Sequence, residues 1–387
     1  MRRIYLDHNA TTPLDPRVLD AMLPALRDGF GNPSSLHWFG QKARATIEDA
    51  RAEVARLVGA DPAQLILTSG GTEADNLALR GLAASARPGR RRILASAVEH
   101  HAVLDSARAL VHHGFVFETV AVREDGALDL DDLRRRLSDD VLVLAVMLAN
   151  NETGVLQPVP EATRLARAVG ALVLCDAVQA AGKLSLDVRA LDVDLMALSA
   201  HKIGGPKGTG ALFVRRGTPM RRQMDGGGQE RNRRGGTENV AGIVGFGRAA
   251  ALAADEQVGR MRRVAELRDR LETRLLALPN TVVNGTAPRV ANTSNVAFGG
   301  ADAETLLLAL DLQGVAVSAG AACAAGAAEP SHVLRAMGMS PERVESSLRF
   351  SLGTTTTVDD VDEAAEVVAR VLERVRGGVR RPPASRL

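Results

Sequence analysis

Short apolar segments and helical patterns alternate between residues 65 and 199, and this alternation restricts the fold more than any other feature. Strands are predicted at 65–68, 93–97, 115–122, 141–148, 171–176 and 195–199. Helical patterns fill the first four gaps, beginning at Glu73 and covering 102–112, 130–137 and 160–169. Repeated strand–helix units favour an α/β fold with a mostly parallel sheet flanked by helices. Ligands bind such sheets at the carboxyl ends of the strands, so polar residues there are the first site candidates.

A chain of 387 residues is long for a single hydrophobic core, so two domains are expected. A helical pattern from Val240 to Leu278 leads into further strands near 281–283, 294–298, 315–318 and 348–351. Helices are predicted beside them at 303–312, 331–337 and 358–375. We therefore predict an N-terminal arm at 1–20 that packs with a small C-terminal α/β domain at 256–387, and a large domain at 21–255.

The overall charge and the termini give no sign of a nucleic-acid or membrane partner. The formal net charge is only +2, which provides no strong field for either surface. Met1–Thr12 has no apolar core of the kind found in signal peptides, and the longest apolar run, 141–149, is too short to span a bilayer. Two cysteines, Cys175 and Cys323, do not make a disulfide scaffold. We therefore expect a cytoplasmic protein.

Lysine is scarce in this chain, and one lysine stands in an unusual loop. Only four of the 48 basic residues are lysines, namely Lys42, Lys183, Lys202 and Lys207. Lys202 lies in the polar, glycine-rich stretch Leu198–Gly210, between two apolar runs. An amine can lose its proton and form an imine, which a guanidinium cannot do. An ordinary loop charge is the alternative for Lys202 and Lys207, and this stretch alone does not separate the two.

Polar groups follow several other predicted strands. Ser69–Thr72 places glycines before a helix, with Thr72 and Asp75 at the spacing of a capping box. Free backbone N–H groups there would suit a phosphate, although a plain helix cap is the alternative. Asp176 ends a buried apolar strand, with Gln179 three residues on. A buried acid needs a cation such as a protonated pyridine nitrogen, unless it simply caps the next helix.

A histidine completes the set of groups at strand ends. His100 follows the strand at 93–97, where an imidazole can stack on a flat ring or move protons. A metal site is disfavoured, because the chain has no H-x-x-x-H or C-x-x-C spacing. A phosphate cradle, an acid, a histidine and a lysine together predict pyridoxal phosphate as the cofactor. A dinucleotide site fits less well, since no G-x-G-x-x-G follows the first strand.

Six segments in chain order resemble the cysteine desulfurases, which are pyridoxal-phosphate enzymes of the class V aminotransferase group. They are Asp7-x-Asn9-Ala10-Thr11-Thr12-Pro13, Thr68–Asn76, Asn150–Gly154, Asp176-Ala177-x-Gln179, Ser199–Lys202 and Arg349–Gly353. The match covers nearly the whole chain, which makes it far more specific than any single motif. It implies the fold type I architecture of pyridoxal-phosphate transferases and the removal of sulfur from L-cysteine.

The resemblance also implies the role of each matched residue. Lys202 would bind the cofactor covalently and act as a base, and Asp176 would pair with its ring nitrogen. Gln179 would bond the ring hydroxyl, and His100 would stack on the ring and take part in catalysis. The expected phosphate ligands are Gly71, Thr72, Ser199 and His201, together with Thr237 reaching across a homodimer to the other subunit. Asn151 and Arg349 would hold the substrate carboxylate, for which a planar guanidinium is suited.

Cys323 is the residue that would give this cofactor its sulfur chemistry. It lies in a stretch from Ser318 to Ala328 that is almost all Ala and Gly, and it is followed by Glu329-Pro330-Ser331 as in desulfurases with a longer cysteine loop. The implied product is a Cys323 persulfide, delivered to an acceptor protein for iron–sulfur cluster assembly or another thiolation. Many members carry hydroxyls where this chain has Ala319 and Ala321. A buried, inert thiol is the alternative for a lone cysteine, and it is the expectation for Cys175.

Other functions remain compatible with this resemblance. A selenocysteine lyase or another class V pyridoxal-phosphate enzyme is the enzymatic alternative. A pyridoxal-phosphate protein serving as a scaffold in a sulfur-transfer complex is the non-enzymatic one.

Overall fold

A computed structural model describes residues 2–320 and 330–378, so Cys323 lies outside the described residues. The strands are β1 (Ile4–Tyr5), β2 (Leu65–Thr68), β3 (Arg92–Ser96), β4 (Val116–Val120), β5 (Val141–Ala145), β6 (Leu172–Asp176), β7 (Leu195–Ser199), β8 (Gly210–Val214), β9 (Thr281–Asn284), β10 (Thr293–Phe298), β11 (Val315–Ala316) and β12 (Ser347–Ser351). The helices are α1 (Pro16–Arg27), α2 (Trp38–Val58), α3 (Gly71–Ala83), α4 (His101–Val111), α5 (Leu130–Arg136), α6 (Val159–Ala168), α7 (Val188–Leu191), α8 (Gln229–Asn232), α9 (Val240–Leu276), α10 (Ala303–Leu312), α11 (His332–Ala336), α12 (Pro341–Glu345) and α13 (Val358–Gly378).

The strand–helix alternation builds one seven-stranded sheet in the order β2-β8-β7-β6-β5-β3-β4. β5, β7 and β8 are buried along their whole length, because helices cover both faces of the sheet. β8 alone runs antiparallel to its neighbours β7 and β2. Only residues 200–209 join β7 to β8, which is too short for the crossover that a parallel partner requires. The predicted α/β fold with a mostly parallel sheet is confirmed.

A second core lies around the smaller antiparallel sheet β12-β10-β9. Phe298 and Phe350 pack there edge to face, with ring centroids 6.2 Å apart. β1 pairs in parallel with β11, and Leu6 beside it is buried in the same core. The N-terminal arm therefore joins its core through strand pairing as well as apolar contact.

The long helix α9 belongs to both cores. Ile243 and Phe246 near its start pack beneath the large sheet, whereas Leu267 and Leu271 pack in the second core. The predicted domain boundary between residues 255 and 256 falls inside this continuous helix and stays a prediction. Within residues 2–320 and 330–378, no helix combines the length and the apolar character that crossing a bilayer requires.

One local expectation is wrong. Thr72 and Asp75 do not form a capping box, because α3 begins at Gly71 and the residue before it, Gly70, makes no side-chain cap. Glu73 instead reaches back, and its Oε2 accepts a hydrogen bond from the Ser69 N–H at 2.7 Å. Asp75 is buried within the helix. The first turn of α3 nevertheless opens toward the edge of the sheet where β6 and β7 end.

Candidate active site

Lys202 lies in a single helical turn that directly follows β7. Its Nζ donates to the backbone oxygens of Asn9 and Ala10, at 2.5 and 2.7 Å. Burial, and then the positive charge of Arg349, lower the pKa of Lys202 to about 8, although Asp176 acts in the opposite direction. A large fraction of this amine is therefore neutral near pH 8, as imine formation requires.

Asp176 is the last residue of β6 and is buried. Its Oδ1 accepts a hydrogen bond from the Val178 N–H at 2.9 Å. Burial raises the pKa of Asp176, and the nearby His100 and Lys202 partly oppose that rise. A further cation beside the carboxylate would stabilise its charged form, and a protonated pyridine nitrogen is such a cation.

Gln179 and Lys202 share a hydrogen-bond acceptor, the Asn9 backbone oxygen. Asn9 and Lys183, to which the sequence assigned no role, belong to the same hydrogen-bonded group. Gln179 Nε2 donates to the Asn9 backbone oxygen at 2.9 Å, and Gln179 Oε1 accepts from Lys183 Nζ at 2.7 Å. Lys183 Nζ also donates to Asn9 Oδ1 at 2.9 Å, and both residues are buried. The scarcity of lysine in the composition was the one signal that pointed to Lys183.

His100 stands at the N-terminus of α4 with its ring exposed at the site. Its Nδ1 accepts a hydrogen bond from the Ala102 N–H at 3.1 Å, so the neutral ring carries its proton on Nε2. Burial by the surrounding atoms lowers the pKa of His100, with Asp176 opposing, although part of the residue remains exposed in the single chain. An uncharged, accessible flat ring is suited to stacking.

Three of the predicted phosphate ligands, Gly71, Thr72 and Ser199, lie at the start of α3. A Cβ placed on Gly71 would come 2.7 Å from Val178 Cγ2 and 3.8 Å from Ser199 Cβ, so this helix start abuts the ends of β6 and β7. Thr72 is exposed in the first turn. Burial, followed by the charges of Lys202 and Lys207, lowers the pKa of His201 to about 4. His201 is therefore a neutral hydrogen-bonding group, and the positive potential for an anion comes from the helix start and Lys202.

Arg349 is held at the site by the N-terminal arm. Its Nη2 donates to Asp7 Oδ1 at 2.6 Å and its Nη1 donates to the Asn151 backbone oxygen at 3.0 Å. Its Nε is buried and has no hydrogen-bond partner among residues 2–320 and 330–378. The structure thus brings the two predicted carboxylate ligands, Asn151 and Arg349, together. Asp7 belongs to a motif quoted above, yet the sequence did not reveal this ion pair.

Gly320 and Ser331, which flank the segment that contains Cys323, both lie against Glu152. Glu152 Oε2 accepts a hydrogen bond from the Ser331 hydroxyl at 2.5 Å. A Cβ placed on Gly320 would come 2.7 Å from the same oxygen. Burial raises the pKa of Glu152, with Ser331 and Arg349 opposing. Glu152 was not predicted as a site residue, although it adjoins Asn151.

Two further buried acids, Asp75 and Glu99, lie near Asp176 and were also missed. Glu99 Oε1 accepts a hydrogen bond from the Met147 N–H at 2.6 Å. Asp75 Oδ1 and Glu99 Oε2 are buried without a hydrogen-bond partner in the described part of the chain. Burial, and then the charge of Asp176, raise the pKa of both acids. Both are therefore neutral over a wider pH range than ordinary carboxylic acids.

The remaining predicted residues lie away from this cluster. Thr237 is exposed in the segment after α8, and Arg234 in that segment forms a 2.8 Å ion pair with Glu73 of α3. Cys175 is buried in β6, and burial raises the pKa of its thiol well above the ordinary value, as expected of an inert cysteine. Lys207 is exposed in the glycine loop.

The donor set fits pyridoxal phosphate. Lys202 offers an amine of lowered pKa, and Asp176 is a buried carboxylate whose charged form a ring cation would stabilise. The start of α3, beside Ser199, offers N–H groups to an anion. These three features suit the aldehyde, the ring nitrogen and the phosphate of one small molecule.

Comparison with known proteins identifies the family of this chain. The Aminotransferase class-V family model matches residues 4–364. The cysteine desulfurase IscS of Anaeromyxobacter sp. (strain Fw109-5) is 50% identical over 378 residues, covering 96% of this chain and 92% of the relative. A solved NifS-like protein is similar with a TM-score of 0.90 and 35% identity, over 96% of this chain and 100% of that one. The structure of SspA in complex with cysteine has a TM-score of 0.80 and 29% identity, over 92% and 100% of the two chains. This chain therefore belongs to the class V aminotransferase family and, within it, to the cysteine desulfurases, which are pyridoxal-phosphate enzymes.

Proposed function

We propose that this cysteine desulfurase converts L-cysteine to L-alanine and leaves the sulfur as a persulfide on Cys323. The observation that carries the proposal is the environment of Lys202. The pKa of Lys202 is about 8, and the charges of both Arg349 and the buried acid Asp176 act on its amine. Amine, acid and carboxylate-binding cation are the three groups that an amino-acid substrate and this cofactor require at one point.

The cofactor would be held from three sides by residues of this chain. Lys202 would bind it covalently, Asp176 would pair with its ring nitrogen, and Gln179 would donate to its ring hydroxyl. His100 would stack on the ring with its neutral imidazole. Gly71, Thr72, Ser199 and His201 would hold the phosphate, with Thr237 supplied by the other subunit. When bound, pyridoxal phosphate supplies an acceptor for the electron pair released as the substrate Cα–H bond breaks.

The substrate would be oriented by its carboxylate. The Arg349 guanidinium would bind a carboxylate oxygen, and its buried Nε has no hydrogen-bond partner within the described residues. Asp7 and the Asn151 backbone fix the other two guanidinium nitrogens, which holds Arg349 in place before substrate arrives. Lys202 would take the Cα proton on Nζ, and its lowered pKa favours the neutral form that a base needs.

The sulfur step falls to Cys323, which lies outside the described residues. Its thiolate attacks the substrate sulfur, so that an S–S bond forms while the substrate Cβ–S bond breaks. The electron pair of the broken bond passes to the substrate carbon, which is protonated on the way to L-alanine. In net terms, a thiol and L-cysteine become a persulfide and L-alanine, without an external oxidant. The persulfide sulfur then passes to an acceptor protein for iron–sulfur cluster assembly or another thiolation.

An apolar patch on the surface supports the proposal of a homodimer. The patch consists of Phe30, Leu36, Trp38 and Phe39, which are 77%, 90%, 65% and 46% exposed in the isolated chain. The whole sequence contains only ten aromatic residues, eight Phe, one Trp and one Tyr, and three of them lie in this patch. Clustered exposed apolar residues mark interaction surfaces. A second copy covering the patch would also provide the partner that Thr237 requires. The cytoplasmic location expected from the sequence stays a prediction.

Two substitutions test the mechanism. Lys202→Ala should abolish the visible absorption of the bound cofactor. Cys323→Ala should keep that absorption and lose both sulfide release and alanine formation from L-cysteine in the presence of a thiol. Cys175→Ala is the matched control, since it removes the other thiol of the chain and should keep both activities. Full sulfide release by Cys323→Ala would show that the sulfur does not pass through a Cys323 persulfide.

A further inference from the structure

Lys183 is a buried lysine whose hydrogen-bond partners are amide oxygens. It is 9% exposed, and its Nζ lies 2.7 Å from Gln179 Oε1 and 2.9 Å from Asn9 Oδ1. No carboxylate pairs with it among the residues described here. Burying an amine without an opposite charge is unfavourable, so an apolar side chain would fill this space at lower cost. The hydrogen bonds that Lys183 makes to Gln179 and Asn9 indicate what its amine contributes to the site.

The Gln179 side-chain amide lies between the Asn9 backbone oxygen, which can only accept a hydrogen bond, and Lys183 Nζ, which donates one. The Asn9 backbone oxygen, 2.9 Å from Gln179 Nε2, can only accept. Lys183 offers N–H groups to the other end of the same amide. A flipped amide would place two acceptors together at Asn9 and two donors together at Lys183. Only the observed orientation satisfies both ends, and it leaves the second Nε2–H of Gln179 for the ring hydroxyl of the cofactor.

Asn9 connects this pair of residues to Lys202. Its backbone oxygen accepts from Lys202 Nζ at 2.5 Å, and its side-chain oxygen accepts from Lys183 and from Asn292 Nδ2 at 3.0 Å. Burial, and then the charges of Lys202 and Arg349, lower the pKa of Lys183 far below the ordinary lysine value. A neutral amine still has two N–H groups, and the structure provides an acceptor for each. Lys183 can therefore fix the orientation of the Gln179 amide without placing a second permanent positive charge close to Lys202.

We propose that Lys183 is a positioning residue of the cofactor site, which fixes the orientation of the Gln179 amide so that its N–H group faces the bound pyridoxal phosphate. This inference rests on the proposed contact between Gln179 and the cofactor. Lys183 does not touch the reacting atoms, and it acts through Gln179 and Asn9.

The test measures cofactor binding and the pH midpoint at which the visible band of the bound cofactor changes, rather than turnover. The variants are Lys183→Met, Lys183→Gln, Gln179→Ala and the double variant Lys183→Met with Gln179→Ala, each as full-length enzyme. Lys183→Met should raise the dissociation constant of pyridoxal phosphate about tenfold, because the reoriented Gln179 amide would lose its hydrogen bond to the ring hydroxyl. Its pH midpoint should move in the same direction as that of Gln179→Ala. Lys183→Gln, which keeps an N–H donor, should restore most of the wild-type behaviour.

Two comparisons decide the outcome. The double variant should match Gln179→Ala, because the proposed effect of Lys183 on the cofactor requires the Gln179 amide, and additive changes would overturn the inference. Arg374→Met is the matched control, since this exposed cation lies on α13 and contacts none of the described site residues named above, and it should leave both quantities unchanged. If Gln179→Ala changes the dissociation constant and the pH midpoint but Lys183→Met changes neither, the inference about Lys183 is overturned and the Gln179 contact stands.

If Gln179→Ala also changes neither quantity, the proposed contact between Gln179 and the cofactor is overturned as well. If Lys183→Met does not fold, Lys183→Gln decides the outcome. A dissociation constant and pH midpoint like those of Gln179→Ala would overturn the inference, and values like those of the wild type would support it.

Discussion

The Glu152 carboxylate accepts a 2.5 Å hydrogen bond from the Ser331 hydroxyl and also abuts Gly320. One buried acid thus contacts the residues on both sides of segment 321–329. Ser331→Ala should slow the release of alanine in a single turnover about tenfold, because a displaced segment moves the nucleophile away from the substrate sulfur. The affinity for pyridoxal phosphate should be unchanged.

Ser331 also caps α11 through the Leu334 N–H, so a control for the lost cap is needed. Ser340 caps α12 in the same way through the Arg343 N–H. Ser340→Ala should therefore keep the wild-type rate. Equal rates in the two variants would mean that the contact with Glu152 is unimportant for sulfur transfer.

The lowered pKa of Lys202 predicts a pH dependence of cofactor uptake. Since the neutral amine is the reactive form, the rate at which the apoenzyme incorporates pyridoxal phosphate should rise with pH through about 8. Arg349→Gln removes a cation that lowers this pKa, so its profile should move to higher pH. Arg349→Lys keeps the cation and should keep the profile while weakening cysteine binding. Stopped-flow absorbance between pH 6.5 and 9.5 checks both, and an unmoved Arg349→Gln profile would contradict the electrostatic explanation.

The same lysine predicts how the stability of the apoenzyme changes with pH. Its pKa is 10.5 in the unfolded chain and about 8 in the folded protein, so the unfolded state binds more protons between those values. The free energy of unfolding contributed by Lys202 therefore rises with pH across that window and is lost as pH falls through 8. Urea denaturation of wild type and Lys202→Met at several pH values should show a steeper rise for wild type. Parallel curves would argue against the lowered pKa.

The buried carboxyl group of Glu99 lowers the free energy of unfolding, and replacement by the neutral glutamine should remove this cost. Burial raises the pKa of Glu99, so above its ordinary value of 4.5 the unfolded state releases a proton more readily than the folded state. Glu99→Gln keeps the oxygen that accepts from the Met147 N–H and removes the ionisable group. We expect the free energy of unfolding at pH 8 to increase by about 1 kcal/mol. Glu118→Gln, at a partly exposed ion pair with Arg92, should not increase it.

The apolar patch predicts self-association that Trp38 should report directly. Trp38 is the only tryptophan, and it is 65% exposed in the single chain. Its fluorescence emission should move to shorter wavelength as protein concentration rises through the dimer dissociation constant. Leu36→Ser should raise that constant at least tenfold by analytical ultracentrifugation. Val258→Ser, which changes an equally exposed apolar residue on α9, should leave it unchanged.

Local patterns in the sequence placed both ends of two strands of the large sheet, whereas β4 and β5 end two and three residues earlier than predicted. β2 and β7 have the predicted bounds, because an apolar run followed at once by glycine and polar residues marks where a buried strand stops. The start of α3 was predicted two residues late. Capping-box spacing at Thr72 and Asp75 was present, but Gly71 permits the close approach to Val178 that lets the helix begin earlier.

The contacts missed by the sequence reading join residues far apart in the chain. Lys183 meets Asn9 across 174 positions, and Arg349 meets Asp7 across 342. No periodicity records such a pair, because each partner is an isolated polar residue in an otherwise ordinary segment. Burial of Lys183, Glu99 and Glu152 likewise follows from tertiary packing, which local pattern does not encode.

The ion pair between Arg234 and Glu73 has a consequence for a dimeric enzyme. Glu73 belongs to the first turn of the helix that would bind the phosphate in its own subunit, and its Oε2 accepts from the Ser69 N–H there. Arg234 belongs to the segment whose Thr237 would serve the other subunit. In a dimer, this ion pair would therefore connect the phosphate-binding helix start of one site to the segment that serves the other site.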